Sequence, residues 1–528
     1  MKVVNYSTVE SEIHLTKYRK KGFLRLVFSR LVWILFLLFL QLYLFYGIFS
    51  WMKGFYRHYS YVMVVFRIIM TLFLFNNDME SSAKLTWLII ISIAPVPGTL
   101  FLAYTITDLG HIKLKRNVLR VIEETAHALP ENTDVVEEFG NESRSLKSIN
   151  TYLNKTGCFP VYKDTDVAYY PTGEACFDDL IAELEKAEKF IFMEFFIYDE
   201  GYMWGKVLKI LADKVKAGVE VRVMYDGMCE MELLPHNYAA RLCTLGIKAK
   251  TFSPIHPFIS TYYNYRDHRK VLVVDGKVAV TGGINMADEY INRIERFGHW
   301  KDSVVFVRGN AVKSFTLMFL QMWSADEPKV DLGNYLEIDG GVYPEASGYV
   351  MPYSDIPLDD EKVGENVYMD ILNRASKYVH ITTPYLILDD ELKRAIKYAA
   401  ARGVEVSIIL PGIPDKLMAY SLAKNHYKSL VKSGVNIYEY TPGFMHAKNF
   451  ICDDKKAVVG SVNLDYRSLY HHFECALYMY KTDCIEEIER DFQEAIKVSK
   501  KITLETIKKE NILYRASGHI MKLVAPLM

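Results

Sequence analysis

The sequence lacks the features that mark several protein classes. Its 7 cysteines are scattered and include no Cys-x-x-Cys pair, which argues against a disulfide framework or a zinc ribbon. Lys and Arg number 63 against 64 Asp and Glu, so no positive excess would draw the chain to nucleic acid. The short repeat of a solenoid is also absent. We therefore expect a globular protein in a reducing compartment, with any anion binding confined to a local site.

The overall composition points to a mostly soluble chain with a local membrane part. Hydrophobic residues make up 50% of the 528 residues and charged residues 24%. These values are too apolar for a disordered chain and too charged for a transporter that is mostly buried in lipid. The length also exceeds that of one small domain.

The apolar residues concentrate near the N-terminus. Residues 31–52 and 85–107 carry no charge, and each run is long enough to cross a bilayer as a helix, with Pro95 and Pro97 as a kink in the second. Residues 59–77 are apolar except for Arg67, so we favour two spans with this segment interfacial or re-entrant, and three spans stay open. A cleaved signal peptide is disfavoured because the first apolar run is too long for one. We expect residues 1–110 to form a multi-pass membrane anchor.

Basic residues flank both ends of this apolar region. By the positive-inside rule they predict that both ends, and the rest of the chain, are cytoplasmic. The residues are Lys17, Arg19, Lys20, Lys21, Arg25 and Arg30 before it, and Lys113, Lys115, Arg116 and Arg120 after it.

The rest of the chain contains an internal repeat. Residues 187–221 and residues 375–406 share one pattern of apolar strand, helix, glycine (Gly218, Gly403) and Val-rich strand. The repeat predicts an α/β fold of two pseudo-symmetric lobes, residues 161–335 and 336–500, after a linker over 111–160. Residues 501–528 are expected to form a helix, either interfacial or packed on the second lobe.

Each half carries the motif His-x-Lys-x4-Asp, and the same relative positions recur after it. On a strand, His and Lys two residues apart point to one face, so an imidazole and an ammonium would share one wall of a cleft. If the two histidines were unrelated, the residues that follow them would not recur at the same spacing. The first set is His268, Lys270, Asp275, Gly282, Gly283 and Asn285, and the second is His446, Lys448, Asp453, Gly460, Ser461 and Asn463.

This set of groups suits phosphoryl transfer between alcohols. The reaction needs a nucleophile, an acid for the departing alkoxide and positive donors around the phosphate oxygens. Asp302 and Glu474 begin later strands and are candidates for orienting the imidazoles, with ordinary salt bridges as the alternative. Asp275 and Asp453 lie an odd number of residues from the histidines, so we expect them to hold turns.

These motifs resemble the phospholipase D superfamily and, more narrowly, the bacterial cardiolipin synthases. The resemblance rests on residues 264–285, 443–454 and 460–468 and on the apolar N-terminus, and it covers nearly the whole chain. It implies two phospholipase D-like lobes, each a mixed β-sheet flanked by helices, in a bacterial cell-membrane protein. It also implies that two phosphatidylglycerols condense to cardiolipin and glycerol through a phosphohistidine, with no metal or other cofactor.

The resemblance assigns roles to single residues. His268 would be the nucleophile and His446 the general acid, and Lys270, Lys448, Asn285 and Asn463 would bind phosphate. Gly283 and Ser461 would lie at the substrate, and Glu194 at the cleft. Asp267 departs from the family, which usually has Asn there, and residues 253–266 are a candidate lipid-facing loop.

Several alternatives stay open on the sequence alone. A membrane-bound hydrolase that releases phosphatidic acid, or a phosphatidyltransferase with another acceptor alcohol, would have almost the same sequence. A nuclease is disfavoured by the balanced charge, and a non-catalytic scaffold by the two intact motifs. The expected partners are phosphatidylglycerol and membrane lipid, not nucleic acid, and the sequence leaves open whether the chain forms an oligomer.

Overall fold

A computed structural model describes residues 56–107, 111–254, 265–359 and 361–509, with a few isolated positions near either terminus. The predicted span at residues 31–52 lies outside these ranges. So do most of the predicted lipid-facing loop and most of the C-terminal stretch after residue 509.

Three helices come first: α1 (Tyr56–Asn76), α2 (Ser81–Ile93) and α3 (Pro95–Ile106). They pack on one another through Leu74, Trp87, Ile91 and Leu102. The second predicted span is therefore two helices that meet at Ala94, because Pro95 has no N–H to continue the helical hydrogen bonds. Among the helices described, none combines the length and the apolar character needed to cross a bilayer.

The predicted linker, residues 111–160, is a layer of helices packed on the lobes. It consists of α4 (Ile112–Thr125), α5 (Thr133–Glu142) and α6 (Arg144–Gly157). Asn132 and Ser143 cap the last two through side-chain oxygens that accept backbone N–H bonds. Their apolar faces, with Phe139 and Leu153, belong to the main hydrophobic core. This segment is thus a packed part of the globule.

The first lobe is a seven-stranded mixed sheet in the order β1-β9-β7-β6-β2-β3-β4. Its parallel part, β2-β3-β4, is joined by helices, as parallel pairing requires. Its elements are β1 (Asp166–Tyr170), α7 (Gly173–Lys186), β2 (Phe190–Phe195), α8 (Tyr202–Lys216), β3 (Glu220–Asp226), α9 (Gly227–Glu232), α10 (Tyr238–Cys243), β4 (Lys248–Phe252), β5 (Arg266–Asp267), β6 (Lys270–Val274), β7 (Val278–Gly282), a 3₁₀ turn (Asp288–Ile291), β8 (His299–Lys301), β9 (Val304–Arg308) and α11 (Val312–Ser324).

The second lobe repeats this topology as β10-β17-β16-β15-β11-β12-β13, with β18 added at the edge. The shared strand order confirms the predicted pair of pseudo-symmetric α/β lobes. Its elements are β10 (Tyr349–Asp355), α12 (Val363–Arg374), β11 (Tyr378–Thr382), α13 (Asp390–Ala401), β12 (Glu405–Pro411), α14 (Leu417–Lys432), β13 (Asn436–Tyr440), β14 (Gly443–Met445), β15 (Asn449–Cys452), β16 (Lys456–Gly460), α15 (Tyr466–Tyr470), β17 (His472–Tyr480), α16 (Cys484–Lys497), β18 (Ser499–Ile502) and α17 (Leu504–Lys508).

The predicted start of the C-terminal helix, at residue 501, is wrong, because the last described helix begins at Leu504. Residues 499–502 form β18, which pairs with β13 and buries Ile502 opposite Ile437 while Lys500 and Lys501 stay exposed. The sheet edge thus overrides helix propensity here.

Two short strand pairs join the lobes. β5 of the first lobe pairs with β17 of the second, and β14 of the second pairs with β8 of the first. Each pair places one motif histidine at the boundary, since His268 follows β5 and His446 follows β14. The lobes therefore meet where the motifs lie.

The motif aspartates close equivalent turns in the two lobes. Asp275 accepts hydrogen bonds from the backbone N–H groups of residues 188–190, and Asp453 from those of residues 376–378. Both residues adopt positive φ, at 53° and 55°. Each carboxylate ties the end of one motif strand, β6 or β15, to the start of its neighbour, β2 or β11.

Candidate active site

Backbone hydrogen bonds between the lobes fix the two motif histidines. The N–H of His268 donates to the carbonyl of Phe473 at 3.0 Å, and the N–H of His446 donates to the carbonyl of Lys301 at 2.6 Å. Both acceptors belong to the lobe opposite the histidine. The two imidazoles thus meet in one site at the lobe boundary, and both are buried.

The carboxylates behind the imidazoles cross between the lobes. Nδ1 of His268 lies 2.9 Å from Oε1 of Glu474, and Nδ1 of His446 lies 2.6 Å from Oδ2 of Asp302. Each histidine therefore takes its acid from the other half of the repeat. With Nδ1 engaged, Nε2 is the nitrogen that each ring presents to a substrate.

Gly283 and Ser461 lie behind these carboxylates, which differs from their predicted place at the substrate. A Cβ on residue 283 would overlap Oδ1 of Asp302, so only glycine lets the carboxylate approach. The Ser461 hydroxyl donates to Glu474, and the Ser303 N–H donates to Asp302 at 2.8 Å. At the equivalent positions of the repeat, Gly283 thus makes room for Asp302, whereas Ser461 hydrogen-bonds to Glu474.

The motif lysines are buried beside the histidines. Each Nζ donates to the backbone carbonyl of its own motif histidine, and Nζ of Lys448 is also 3.0 Å from Nδ1 of His446. Burial lowers the pKa of Lys270 to about 8, although Glu474 opposes the shift. It lowers the pKa of Lys448 to about 7 against the charge of Asp302. An anion between these ammonium groups would restore their charge.

Electrostatics distinguish the two histidines. Burial and then the charge of Lys270 hold the pKa of His268 well below its usual value. Burial and Lys448 lower the pKa of His446 to about 4, but the charge of Asp302 acts in the opposite direction.

The two carboxylates also differ. Burial raises the pKa of Glu474 well above its usual range. Burial acts in the same sense on Asp302, but the charges of His446 and Lys448 outweigh it and lower the pKa of Asp302. Asp302 is thus the carboxylate that stays charged, and His446 is the imidazole better able to hold a proton.

The predicted asparagines are placed differently from each other. Oδ1 of Asn285 accepts from the Ile197 N–H at 3.0 Å, and its Nδ2 donates to the Tyr290 hydroxyl at 2.8 Å. The amide of Asn285 is thus mostly used by the fold. Oδ1 of Asn463 is buried and has no hydrogen-bond partner in the described part of the chain.

Glu194 belongs to a buried ion cluster instead of facing the motif histidines. Its Oε1 lies 2.5 Å from Nη2 of Arg269, and Oδ1 of Asp267 lies 3.5 Å from Nε of the same guanidinium. The Asp267 N–H also donates to Asp226 at 3.0 Å. Asp267 and Glu194 thus share one guanidinium, and burial raises the pKa of Glu194 well above its usual range.

The structure adds one imidazole that the sequence analysis missed. The His472 ring lies 5.3 Å from the His268 ring, and its Nδ1 lies 3.6 Å from Oε1 of Glu474. Neither ring nitrogen hydrogen-bonds to a described residue. The sequence signal is its position two residues before Glu474 on a strand, which places both side chains on one face.

Aromatic rings wall the site, and no sequence pattern marked them. Trp300, Tyr290 and Phe444 pack on the His446 ring at centroid distances of 5.2, 5.5 and 5.7 Å, and Phe196 lies 5.1 Å from His268. These contacts join residues far apart in sequence. They shield the imidazoles from water, which strengthens the charge interactions inside.

Within the described ranges, one group of potential metal ligands overlaps the site: His268, His472 and Glu474 have donor atoms within 4.8 Å of one another. The positive charge of Lys270 acts on both imidazoles and disfavours a cation. A second group consists of Glu365 on α12, Asp389 at the N-cap of α13 and Glu391 on α13. Two imidazoles, each backed by a carboxylate, and two ammonium groups form a site suited to an anionic phosphodiester.

Comparisons with known proteins identify the family of this chain. The family model "Cardiolipin synthase, PLD-like domain" matches residues 180–323 and 368–496. An uncharacterised protein of Streptococcus mutans is 54% identical over 459 residues, 87% of this chain and 99% of that one. The cardiolipin synthase of Alkalihalophilus pseudofirmus is 31% identical over 508 residues, 93% of this chain and 98% of that one.

A solved structure shares the fold. The phosphatidylserine synthase of Haemophilus influenzae superimposes with a TM-score of 0.55 at 16% identity, over 73% of this chain and 100% of that one. The two segments matched by the family model contain both His-Lys-Asp motifs and both carboxylates that cross between the lobes. The chain therefore belongs to the cardiolipin synthase family of phospholipase D-like proteins.

Proposed function

We propose that this protein is a cardiolipin synthase, which transfers the phosphatidyl group of one phosphatidylglycerol to the headgroup hydroxyl of another and releases glycerol. One observation carries the proposal: the two halves build a single buried site with two carboxylate-backed imidazoles and two lysines. Curated relatives named cardiolipin synthases are similar over nearly their whole length.

In the first half-reaction, Nε2 of His268 attacks the phosphorus of the donor lipid. The bond from phosphorus to the glycerol oxygen breaks, and that oxygen takes a proton from His446. His268 suits the nucleophile because burial and the positive charge of Lys270 keep its ring neutral. His446 suits the acid because ionised Asp302 stabilises its protonated form.

In the second half-reaction, a hydroxyl of the acceptor lipid attacks the phosphohistidine. The new P–O bond forms as the P–N bond breaks, the electron pair of that bond returns to His268, and His446 takes the hydroxyl proton. Water competes with the lipid hydroxyl at this step. The aromatic wall around both rings favours transfer because it limits the access of water.

Lys270 and Lys448 would hold the nonbridging phosphate oxygens. Their hydrogen bonds to the motif histidine carbonyls fix each ammonium beside the ring that reacts. The free amide oxygen of Asn463 suits a hydroxyl donor, whereas Gly283 and Ser461 act as positioning residues for Asp302 and Glu474.

The N-terminal region would anchor the enzyme in the bacterial cell membrane, with the lobes in the cytoplasm. α1 and α2 expose many large apolar side chains, which suits contact with lipid. Examples are Val62, Val65, Ile68, Leu72, Phe75, Leu85 and Ile93. Anchoring would concentrate the enzyme at the surface where both substrates lie.

Product analysis tests the proposed activity. The purified full chain is incubated with phosphatidylglycerol in mixed micelles, and lipids are identified by mass spectrometry. We expect cardiolipin and glycerol, reduced roughly a thousandfold or more in His268→Ala and in His446→Ala because each step needs both imidazoles. His236→Ala is the control, since that side chain is 77% exposed. Phosphatidic acid as the sole product would show a hydrolase instead.

Removing either carboxylate should affect the histidine of the other lobe. We expect Glu474→Gln and Asp302→Asn each to lower kcat by about a thousandfold with the melting temperature nearly unchanged, because the imidazole loses the carboxyl group that orients its Nδ1. Asp302→Asn should also move the pH optimum to lower pH, since loss of that charge lowers the pKa of His446. Glu494→Gln on the exposed face of α16 is the control. Activity within tenfold of wild type would contradict the orienting role.

Labelling of one thiol tests on which side of the membrane the lobes lie. Cys243 is exposed and the other six cysteines are buried. If the lobes are cytoplasmic, a membrane-impermeant maleimide should label the chain in lysed cells but not in intact cells, and Cys243→Ser should abolish the labelling. The chain should also stay in the membrane pellet after an alkaline carbonate wash. Labelling in intact cells would place the lobes outside.

A further inference from the structure

A network of buried polar side chains joins the two lobes on the His446 side of the site. It begins at Lys301, which ends β8 and directly precedes Asp302 in the first lobe. The carbonyl of Lys301 accepts the N–H of His446 at 2.6 Å and the N–H of Ala447 at 3.0 Å. The position of Lys301 therefore sets both the backbone at His446 and the start of the segment that carries Asp302.

The ammonium group of Lys301 is bound by Asp491, which lies on α16 of the second lobe. Its Nζ lies 2.8 Å from Oδ1 and 2.7 Å from Oδ2 of Asp491, and it also donates to the carbonyl of Pro171. The side chains of Lys301 and Asp491 are only 8% and 18% exposed, so salt and water screen this ion pair little. The ion pair thus fixes Lys301 against the lobe that carries His446.

A second route leads from Asp491 to the carboxylate of Asp302. The Tyr169 hydroxyl donates to Oδ2 of Asp491 at 2.8 Å and accepts from Nδ2 of Asn449 at 3.3 Å. Burial and then the charge of Asp491 hold the pKa of Tyr169 well above its usual value, so the hydroxyl keeps the proton that it donates. The Ser303 hydroxyl donates to Oδ1 of Asn449 at 2.7 Å, and the Ser303 N–H donates to Oδ1 of Asp302. We refer to these residues as the interlobe network: Lys301, Asp491, Tyr169, Asn449 and Ser303.

The equivalent position on the His268 side is built differently. There Phe473 precedes the orienting carboxylate, and its carbonyl accepts the N–H of His268. The Phe473 side chain is fully buried, and its ring lies 5.3 Å from the ring of Phe252. Apolar packing therefore places the backbone at His268, whereas buried polar contacts place the backbone at His446. A change in the interlobe network should reach one imidazole and spare the other.

We propose that the interlobe network positions His446 and Asp302 for proton transfer, so that the imidazole can protonate the departing glycerol and then deprotonate the acceptor hydroxyl. The inference rests on the proposed function, because it concerns the acid and base of that reaction. Lys301, Asp491 and Tyr169 are positioning residues, since they act through Asp302 and through the backbone at His446. A displacement of about 1 Å in a reacting group can slow a step roughly a hundredfold.

Two donor lipids separate proton transfer from the rest of the first half-reaction. The glycerol oxygen of phosphatidylglycerol must gain a proton as it leaves, whereas p-nitrophenolate leaves phosphatidyl-p-nitrophenol without one. Full-length enzyme is mixed with either donor in mixed micelles, and the glycerol or p-nitrophenolate released in the first turnover is measured after a rapid quench. The ratio of the two rates reports how well His446 delivers its proton.

Asp491→Asn should slow first-turnover release of glycerol roughly tenfold or more, while release of p-nitrophenolate stays within about twofold of wild type. Tyr169→Phe removes only a hydroxyl and should change the ratio in the same direction and less. Glu494→Gln is the matched control, because this exposed side chain lies on the same helix as Asp491, and it should match wild type with both donors. Melting temperatures show whether each variant is folded.

Two further variants calibrate the ratio. Asp302→Asn acts directly on His446, so it should slow glycerol release more than Asp491→Asn does and again spare p-nitrophenolate release. Glu474→Gln acts on His268, so it should slow release from both donors. These two patterns distinguish a loss of the acid from a loss of the nucleophile.

The remaining outcomes decide against the network. Equal slowing with both donors in Asp491→Asn and Tyr169→Phe, or no change with either donor, overturns the positioning role. If Asp491→Asn does not fold, an unchanged ratio in Tyr169→Phe overturns it. The products decide the synthase separately: wild-type enzyme that yields only phosphatidic acid overturns the proposed function. The comparison of donors then still tests the network, because a hydrolase has to protonate the same glycerol.

Discussion

The site depends on two hydrogen bonds that cross the lobe boundary, Glu474 to His268 and Asp302 to His446. Each histidine is placed by a backbone bond to the opposite lobe and oriented by a carboxylate from that lobe. Neither half of the repeat therefore contains a complete acid or nucleophile. The strand pairs β5 with β17 and β14 with β8 hold these groups in register.

Because each histidine is paired with a carboxylate of the opposite lobe, the two similar motifs can differ in chemistry. Burial and the neighbouring Lys270 keep His268 neutral, whereas His446 faces an ionised Asp302. Burial disfavours the charged form of each lysine and histidine in the site, so the site favours an anion that can pair with several of these side chains at once. A phosphodiester meets that need, and its arrival would raise the pKa values of both lysines.

Some of this could be predicted from the sequence. The repeat predicted two lobes of one topology, and spacing on a strand predicted that each His and Lys share a wall and that Asp275 and Asp453 close turns. The pairing of each histidine with the acid of the opposite lobe could not be predicted. The sequence is equally compatible with either way of pairing the two histidines and the two acids. The supporting places of Gly283 and Ser461, and the neighbour His472, follow from packing between strands that are distant in sequence. The packing of residues 111–160 was missed because amphipathic helices in a connecting segment do not reveal their partner surface.

The central claim is that both halves act on one phosphorus, with His268 as the group that holds it. The direct measurement is to mix enzyme with phosphatidyl-p-nitrophenol, quench within the first turnover at alkaline pH, where phosphohistidine is preserved, and locate the adduct by peptide mass spectrometry. The account predicts a phosphatidyl group on His268. An adduct on His446 would reverse the two roles, and the absence of any adduct in an enzyme that turns over would contradict the phosphohistidine mechanism.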